Sequence, residues 1–146
     1  MIDWNDEFLI GDERIDFEHR IFLDLIRHFS EVRARGAPLE RLLRILEEVA
    51  LYARFHFKSE ENLMQDTGFA GFEEHRAAHN QLVGELTNHL AGLDIQIYSP
   101  HDVERFLCTW FANHVTQSDA EIGRHLAAHR DRVGRAPAHH AGTTAR

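Results

Sequence analysis

Thiols are almost absent from this sequence: its one cysteine, Cys108, can form no internal disulfide and supplies no thiolate cluster for a structural metal. Long apolar runs are absent too, and no stretch approaches the roughly eighteen residues of a transmembrane helix, so no membrane partner is expected. The opening "MIDWNDEFLI" is acidic, with neither the basic start nor the apolar run of a secretory signal, which makes the cytoplasm the expected compartment. Positive charge is scarce. The net charge of −8 would repel a phosphate backbone, so nucleic acid is not an expected partner. The deficit is uneven: residues 1–122 carry 11 Lys and Arg against 23 Asp and Glu, whereas residues 123–146 carry 5 against 1. Neither an internal repeat nor a convincing strand pattern is present.

What is present is helix. A chain of 146 residues with 43% hydrophobic content suffices for one buried core and is too short to suggest two. Four long segments carry apolar residues at alternating spacings of three and four. The first runs from Asp12 to about Arg35, with Ile15, His19, Phe22, Ile26 and Phe29 on one face, and stops at "RGAP". The second, Leu39 to about Gln65, bears the stripe Leu42, Leu46, Val49, Ala53, His56, Glu60 and Leu63. The third starts near Phe72 and brings Phe72, His75, His79, Leu82, Leu86 and Leu93 into step. The fourth opens with Ser99 as N-cap and Pro100 in first position, and carries Val103, Leu107, Trp110, His114 and Ser118 inward. Past Gly123, "RHLAAHRDRV" predicts a short helical piece. Short connections between long helices predict an all-α, up-down-up-down antiparallel four-helix bundle over residues 1–133, with a short C-terminal helical extension and a disordered, solvated tail over 134–146.

Twelve histidines are many for this length, and their positions decide what they mean. Every helix turns metal-ligand types inward: His19 on the first, His56 and Glu60 on the second, His75 and His79 on the third, His114 on the fourth. Members of the pairs His56–Glu60 and His75–His79 lie about 40° apart on an ideal helix and face the same way. Asp119, five residues past His114, lies about 140° away and joins the others only from the flank or through a local distortion. Buried groups of this kind cost about 1–3 kcal/mol each if left unpaired. Metal coordination removes that cost. Seven ligands exceed what one ion takes, which predicts two ions sharing the carboxylates, and an imidazole-rich site without thiolate suits iron rather than calcium, magnesium or structural zinc.

The segments "IDFEH" ending at His19, "HFKSEE" from His56, "HRAAH" from His75 to His79 and "WFANHVTQSD" from Trp110 to Asp119 resemble, in order, the motifs of the hemerythrin family, its bacterial members in particular. Trp4 and "IGDERID" resemble the family's opening, so the resemblance spans about Trp4 to Glu121. It implies that His75, His79 and His114 hold one iron, that His19 and His56 hold the other, and that Glu60 and Asp119 bridge them together with a single oxo or hydroxo oxygen. Ligand bonds so counted leave one octahedral position open, on the iron with two histidines. The implied activity is reversible binding of molecular oxygen, not catalysis. Two carboxylates supply less negative charge than the four of carboxylate-rich di-iron sites, which favours reversible binding over substrate oxidation.

Phe57, Trp110, Phe111 and Val115 fall beside the ligands on the helical wheel and read as the wall of an oxygen pocket. Storage or delivery of oxygen is the first reading; sensing of oxygen, nitric oxide or redox state, and a di-iron peroxidase, are the alternatives. Because no methyl-accepting, cyclase or kinase segment accompanies the motifs, sensing ranks second for this polypeptide. A monomer is expected. Asp16, one turn ahead of His19, reads equally as an orienting acid for that ligand or as an exposed first-turn acid. His28, His89, His101, His125, His129, His139 and His140 read as surface or tail residues, and Cys108 as a small buried filler. In "GFAGF", Ala70 stands where the family pattern commonly has proline, which leaves the rigidity of that loop open.

Overall fold

The computed structural model describes residues 1–135, and the helix ends follow local chemistry. Asp12 accepts the Ile15 N–H at 2.9 Å and starts α1, Glu13–Ala34. Helix α2 spans Leu39–Asp66 and α3 spans Phe72–Asp94; Gly36 and Gly68, in the left-handed region, follow α1 and α2 and end them. Helix α4, Pro100–Asn113, opens in a capping box: Ser99 Oγ accepts the Asp102 N–H at 3.1 Å, and Asp102 Oδ2 accepts the Ser99 N–H at 3.0 Å. It continues through a π-helical turn, His114–Asp119, into α5, Ala120–Gly134. Ahead of α1 lies an arm with a 3-10 turn at Asp6–Phe8.

Along the fourth helix and its continuation, two features differ from the sequence reading. Gly123 does not break the fourth helix; it lies inside α5, where a Cβ would fall 2.8 Å from the Ile10 carbonyl oxygen, so glycine here makes room for the arm. The inward stripe also shifts within the π turn, leaving Ser118 half-buried and Asp119 fully buried. Bonding from i to i+5 closes a wider turn and returns the fifth residue to the face of the first, which is the distortion that Asp119 needs.

Helix α1 packs on α2 and α4, and α3 packs on the same two, so the four close into a bundle whose short connections make sequential neighbours antiparallel. No strand occurs among the described residues, and no helix among them is long and apolar enough to cross a membrane. Residues 136–146, most of the expected tail, lie outside the described residues, and His139 and His140 with them. Two apolar clusters fill the interior. The larger includes Phe22, Leu46, Phe57, Leu82, Phe111 and Val115, and the smaller includes Ile10, Ile15, Met64, Ile122 and Leu126. Met64, not Leu63, takes the last core position on α2. Along each bundle helix the inward polar residues fall between members of these clusters, so they form one layer across the bundle.

Candidate metal centre

All seven polar residues of that layer are buried: His19 from α1, His56 and Glu60 from α2, His75 and His79 from α3, and His114 and Asp119 from the two ends of the π turn. The five imidazoles turn Nε2 toward two carboxylates. Glu60 Oε1 lies 2.9 Å from His56 Nε2 and 3.3 Å from His19 Nε2, while its Oε2 lies 3.1 Å from His79 Nε2 and 3.2 Å from His75 Nε2. Asp119 repeats the division. Its Oδ2 lies 3.2 Å from His19 Nε2, and its Oδ1 lies 3.1 Å from Nε2 of both His75 and His114.

Most of these approaches are not hydrogen bonds. Both Asp119 oxygens, His79 Nε2 and His114 Nε2 are buried without a hydrogen-bond partner, although nitrogen and oxygen stand within 3.2 Å. Atoms so placed direct lone pairs at shared points rather than at one another, and each would cost about 1–3 kcal/mol unless a cation sat there. The ligand atoms of Glu60, His75, His79, His114 and Asp119 lie within 4.8 Å of one another, and so do those of His19, His56, Glu60 and Asp119. The two sets share the carboxylates. Imidazole and carboxylate without thiolate form a donor set that fits iron.

Protonation shows the same tension. Burial presses His19 toward its neutral form, but the Asp119 and Glu60 carboxylates overcome it and hold the imidazole up to about 10; the same balance holds His75 up to about 9. Burial acts to raise Glu60 and Asp119, and for Asp119 the neighbouring Glu60 charge acts with it. The surrounding imidazoles nevertheless hold both well below the usual carboxylate range. Protons and a metal compete for the same positions here.

The outer ring nitrogens fix the tautomers. His19 Nδ1 donates to the Phe8 carbonyl at 2.9 Å, His56 Nδ1 to Glu18 Oε1 at 3.0 Å, and His79 Nδ1 to Glu61 Oε2 at 3.2 Å. A carbonyl or carboxylate only accepts, so Nδ1 carries a proton, and in the neutral ring Nε2 is the nitrogen whose lone pair faces the interior. Glu18 is itself held by Ser59 Oγ at 2.9 Å and Arg14 Nε at 3.0 Å. Burial would raise its carboxyl, and His56 and Ser59 reverse that. None of Glu18, Glu61 and the Phe8 carbonyl was legible in sequence: Arg14 and Glu18 have the spacing of an ordinary surface pair, and a main-chain acceptor leaves no residue signature. Asp16 makes no hydrogen bond to His19. It accepts the N–H groups of Ile10 at 2.7 Å and Gly11 at 3.2 Å.

Phe57, Trp110, Phe111 and Val115 are all buried beside the layer. Phe57 stacks on His79 with ring centroids 4.0 Å apart, Trp110 lies 5.9 Å from His114, and Phe111 lies T-shaped to His19 with ring centroids 6.2 Å apart. Phe22 joins them, 5.9 Å from His56 and 5.6 Å from Phe111. Among the remaining histidines, His28 and His101 are exposed, as expected, but His89, His125 and His129 are half-buried. His89 stacks on Phe106 at 3.9 Å and Tyr98 at 4.8 Å. His125 Nε2 donates to the Thr67 carbonyl at 2.9 Å, which pins the loop containing Ala70. Cys108 is half-buried against the larger cluster, and burial raises its thiol.

The model of one family, described as the hemerythrin HHE cation binding domain, matches residues 10–126. The chain belongs to the hemerythrin family. A bacteriohemerythrin of Methylococcus capsulatus is 30% identical over 118 residues, covering 77% of this chain and 86% of the relative. A myohemerythrin of Riftia pachyptila is 28% identical over 116 residues, covering 80% and 86%. A wild-type hemerythrin crystal structure superposes with a TM-score of 0.79 at 28% identity, over 87% of this chain and 98% of that one. In this member of the hemerythrin family, α5 continues beyond the matched residues to Gly134.

Proposed function

We propose that the chain binds molecular oxygen reversibly at a carboxylate-bridged di-iron centre and serves oxygen storage or delivery. In this reading His75, His79 and His114 would hold one iron and His19 and His56 the other, with Glu60 and Asp119 shared between them. The observation that carries it is the division of each carboxylate, one oxygen toward each histidine group. Iron at both positions would supply the redox chemistry that reversible oxygen binding requires. With two imidazoles against three, the half formed by His19 and His56 is the one with room for a ligand. Glu18, Glu61 and the Phe8 carbonyl keep the imidazoles in the binding tautomer. Phe57, Trp110, Phe111 and Val115 wall the pocket and keep out the water and protons that would drive release as peroxide. The bacteriohemerythrin and myohemerythrin relatives support the same reading.

Anaerobic reduction followed by oxygen titration and degassing, watched by visible absorption, tests it. The spectrum is expected to cycle repeatedly between two forms without net consumption of reductant. A wild type that consumed reductant continuously with a co-substrate would instead be a peroxidase, and one that oxidised once without releasing oxygen would fit redox sensing.

A further inference from the structure

The N-terminal arm, residues 1–12, contains only a three-residue 3-10 turn, yet it carries the acceptor for His19 Nδ1. His56 and His79 are oriented differently, by carboxylates standing on α1 and α2. What holds the arm therefore bears on His19. From α1, Asp16 takes the N–H groups of Ile10 and Gly11, and the Arg20 guanidinium lies 3.9 Å over the Trp4 ring. From α5, Arg130 donates to the Gly11 carbonyl, Gly123 admits the Ile10 backbone, and Ile122 and Leu126 pack with Ile10. Helix α5 is in turn anchored by His125 on Thr67. The contacts form a chain from α5 through Gly11 and Ile10 to Phe8 and His19.

We propose that α5 is a clasp on the N-terminal arm, and that Arg130 and Gly123 are positioning residues for the two-histidine half of the centre, acting through the Phe8 carbonyl. This rests on the reading of His19 as an iron ligand. If the arm lifts, His19 loses the acceptor that keeps its proton on Nδ1. Its Nε2 lone pair is then no longer committed to the interior, and the half with fewer imidazoles has the least to spare. Loosening α5 should thus weaken one iron position before the other.

The test uses the full chain, loaded with iron anaerobically, as wild type, Arg130→Ala, Arg130→Lys and Gly123→Val. Arg44→Ala, which removes an exposed pair with Glu40 three turns before His56, is the control. Amide exchange at Ile10 and Gly11 reports on the arm, and the rate of iron loss to a chelator reports on the centre. Deuterium exchange of the His19 ring N–H, followed among the shifted resonances of the reduced protein, reports on the link between them. Arg130→Ala is expected to speed exchange at all three positions and to release the first iron about tenfold faster, with helical circular dichroism unchanged. Arg130→Lys keeps a donor and should recover most of the loss. Faster arm exchange with unchanged iron loss and an unchanged His19 ring N–H would overturn the positioning role. Unchanged arm exchange in both Arg130→Ala and Gly123→Val would overturn the clasp. A wild type that took up no iron would defeat the proposed function instead, while amide exchange would still decide whether α5 holds the arm.

Discussion

Glu60 is approached by Nε2 atoms of four imidazoles, two on each oxygen, so its charge serves both halves of the layer at once. Glu60→Gln keeps the shape but removes that charge and sets an amide N–H against lone pairs already aimed inward. Iron affinity should fall about tenfold or more, and the thermal midpoint of the iron-loaded protein should fall with it; iron analysis after chelator challenge measures the first and a melting curve the second. Phe111 acts differently, because its ring lies T-shaped to His19 and offers no ligand atom. Phe111→Ala should cost about 3–5 kcal/mol of stability through the cavity it leaves. It should also admit water, so the oxygenated form decays faster and releases peroxide while the iron count stays the same. An unchanged lifetime would show that Phe111 does not guard the pocket. At this scale six of the seven inward residues were legible because each falls on a helical stripe, whereas Asp119 was legible only as part of the family motif "WFANHVTQSD". Glu18, one residue before His19, was not, since nothing in its own type or spacing distinguishes it from a solvated acid.

The π turn decides how α4 and α5 meet the centre. Helical periodicity carried Ser118 inward and left Asp119 on the flank, and one extra residue in the turn reverses those roles. Sequence reading left Asp119 to join from the flank or through a distortion and could not choose, because Ser118 and Asp119 both suit a polar layer. Gly123 misled for a related reason: a glycine in a helical pattern reads as a break unless the backbone that approaches it is known. His89 belongs to the same scale, since its stacking on Phe106 and Tyr98 joins α3 to the middle of α4 and the connection before it. His89→Ala should lower stability by about 1–2 kcal/mol, from lost aromatic contacts, while leaving iron content intact. Denaturant unfolding of the iron-loaded protein checks this, and a loss of iron would link His89 to the centre after all.

For the whole molecule, folding and the polar layer are coupled through protons and metal. In the metal-free bundle His19 is raised to about 10 and His75 to about 9, from an unfolded value near 6.5. Each contributes stability that is complete below pH about 6.5 and is lost as pH rises through its folded value. Glu60 and Asp119 are lowered, so their contribution is complete above pH about 4.5 and is lost as pH falls through their folded values. Metal-free protein should therefore melt highest between about pH 5 and 6.5 and progressively lower toward pH 10. Iron should reverse the trend from pH about 5 to 7, because imidazoles must shed protons to bind it. Melting curves with and without iron at pH 6 and 9.5 compare the two, and a metal-free midpoint that rose with pH would contradict the assignment. The bundle was legible in outline because four amphipathic stripes and short connections leave few alternatives. The division into two apolar clusters with a polar layer between them needed the helices in register, which no single stripe specifies. Metal analysis of freshly purified protein tests the central claim most directly. The account predicts two irons per chain, whereas one tightly bound zinc, with no iron taken up on anaerobic reconstitution, would contradict it.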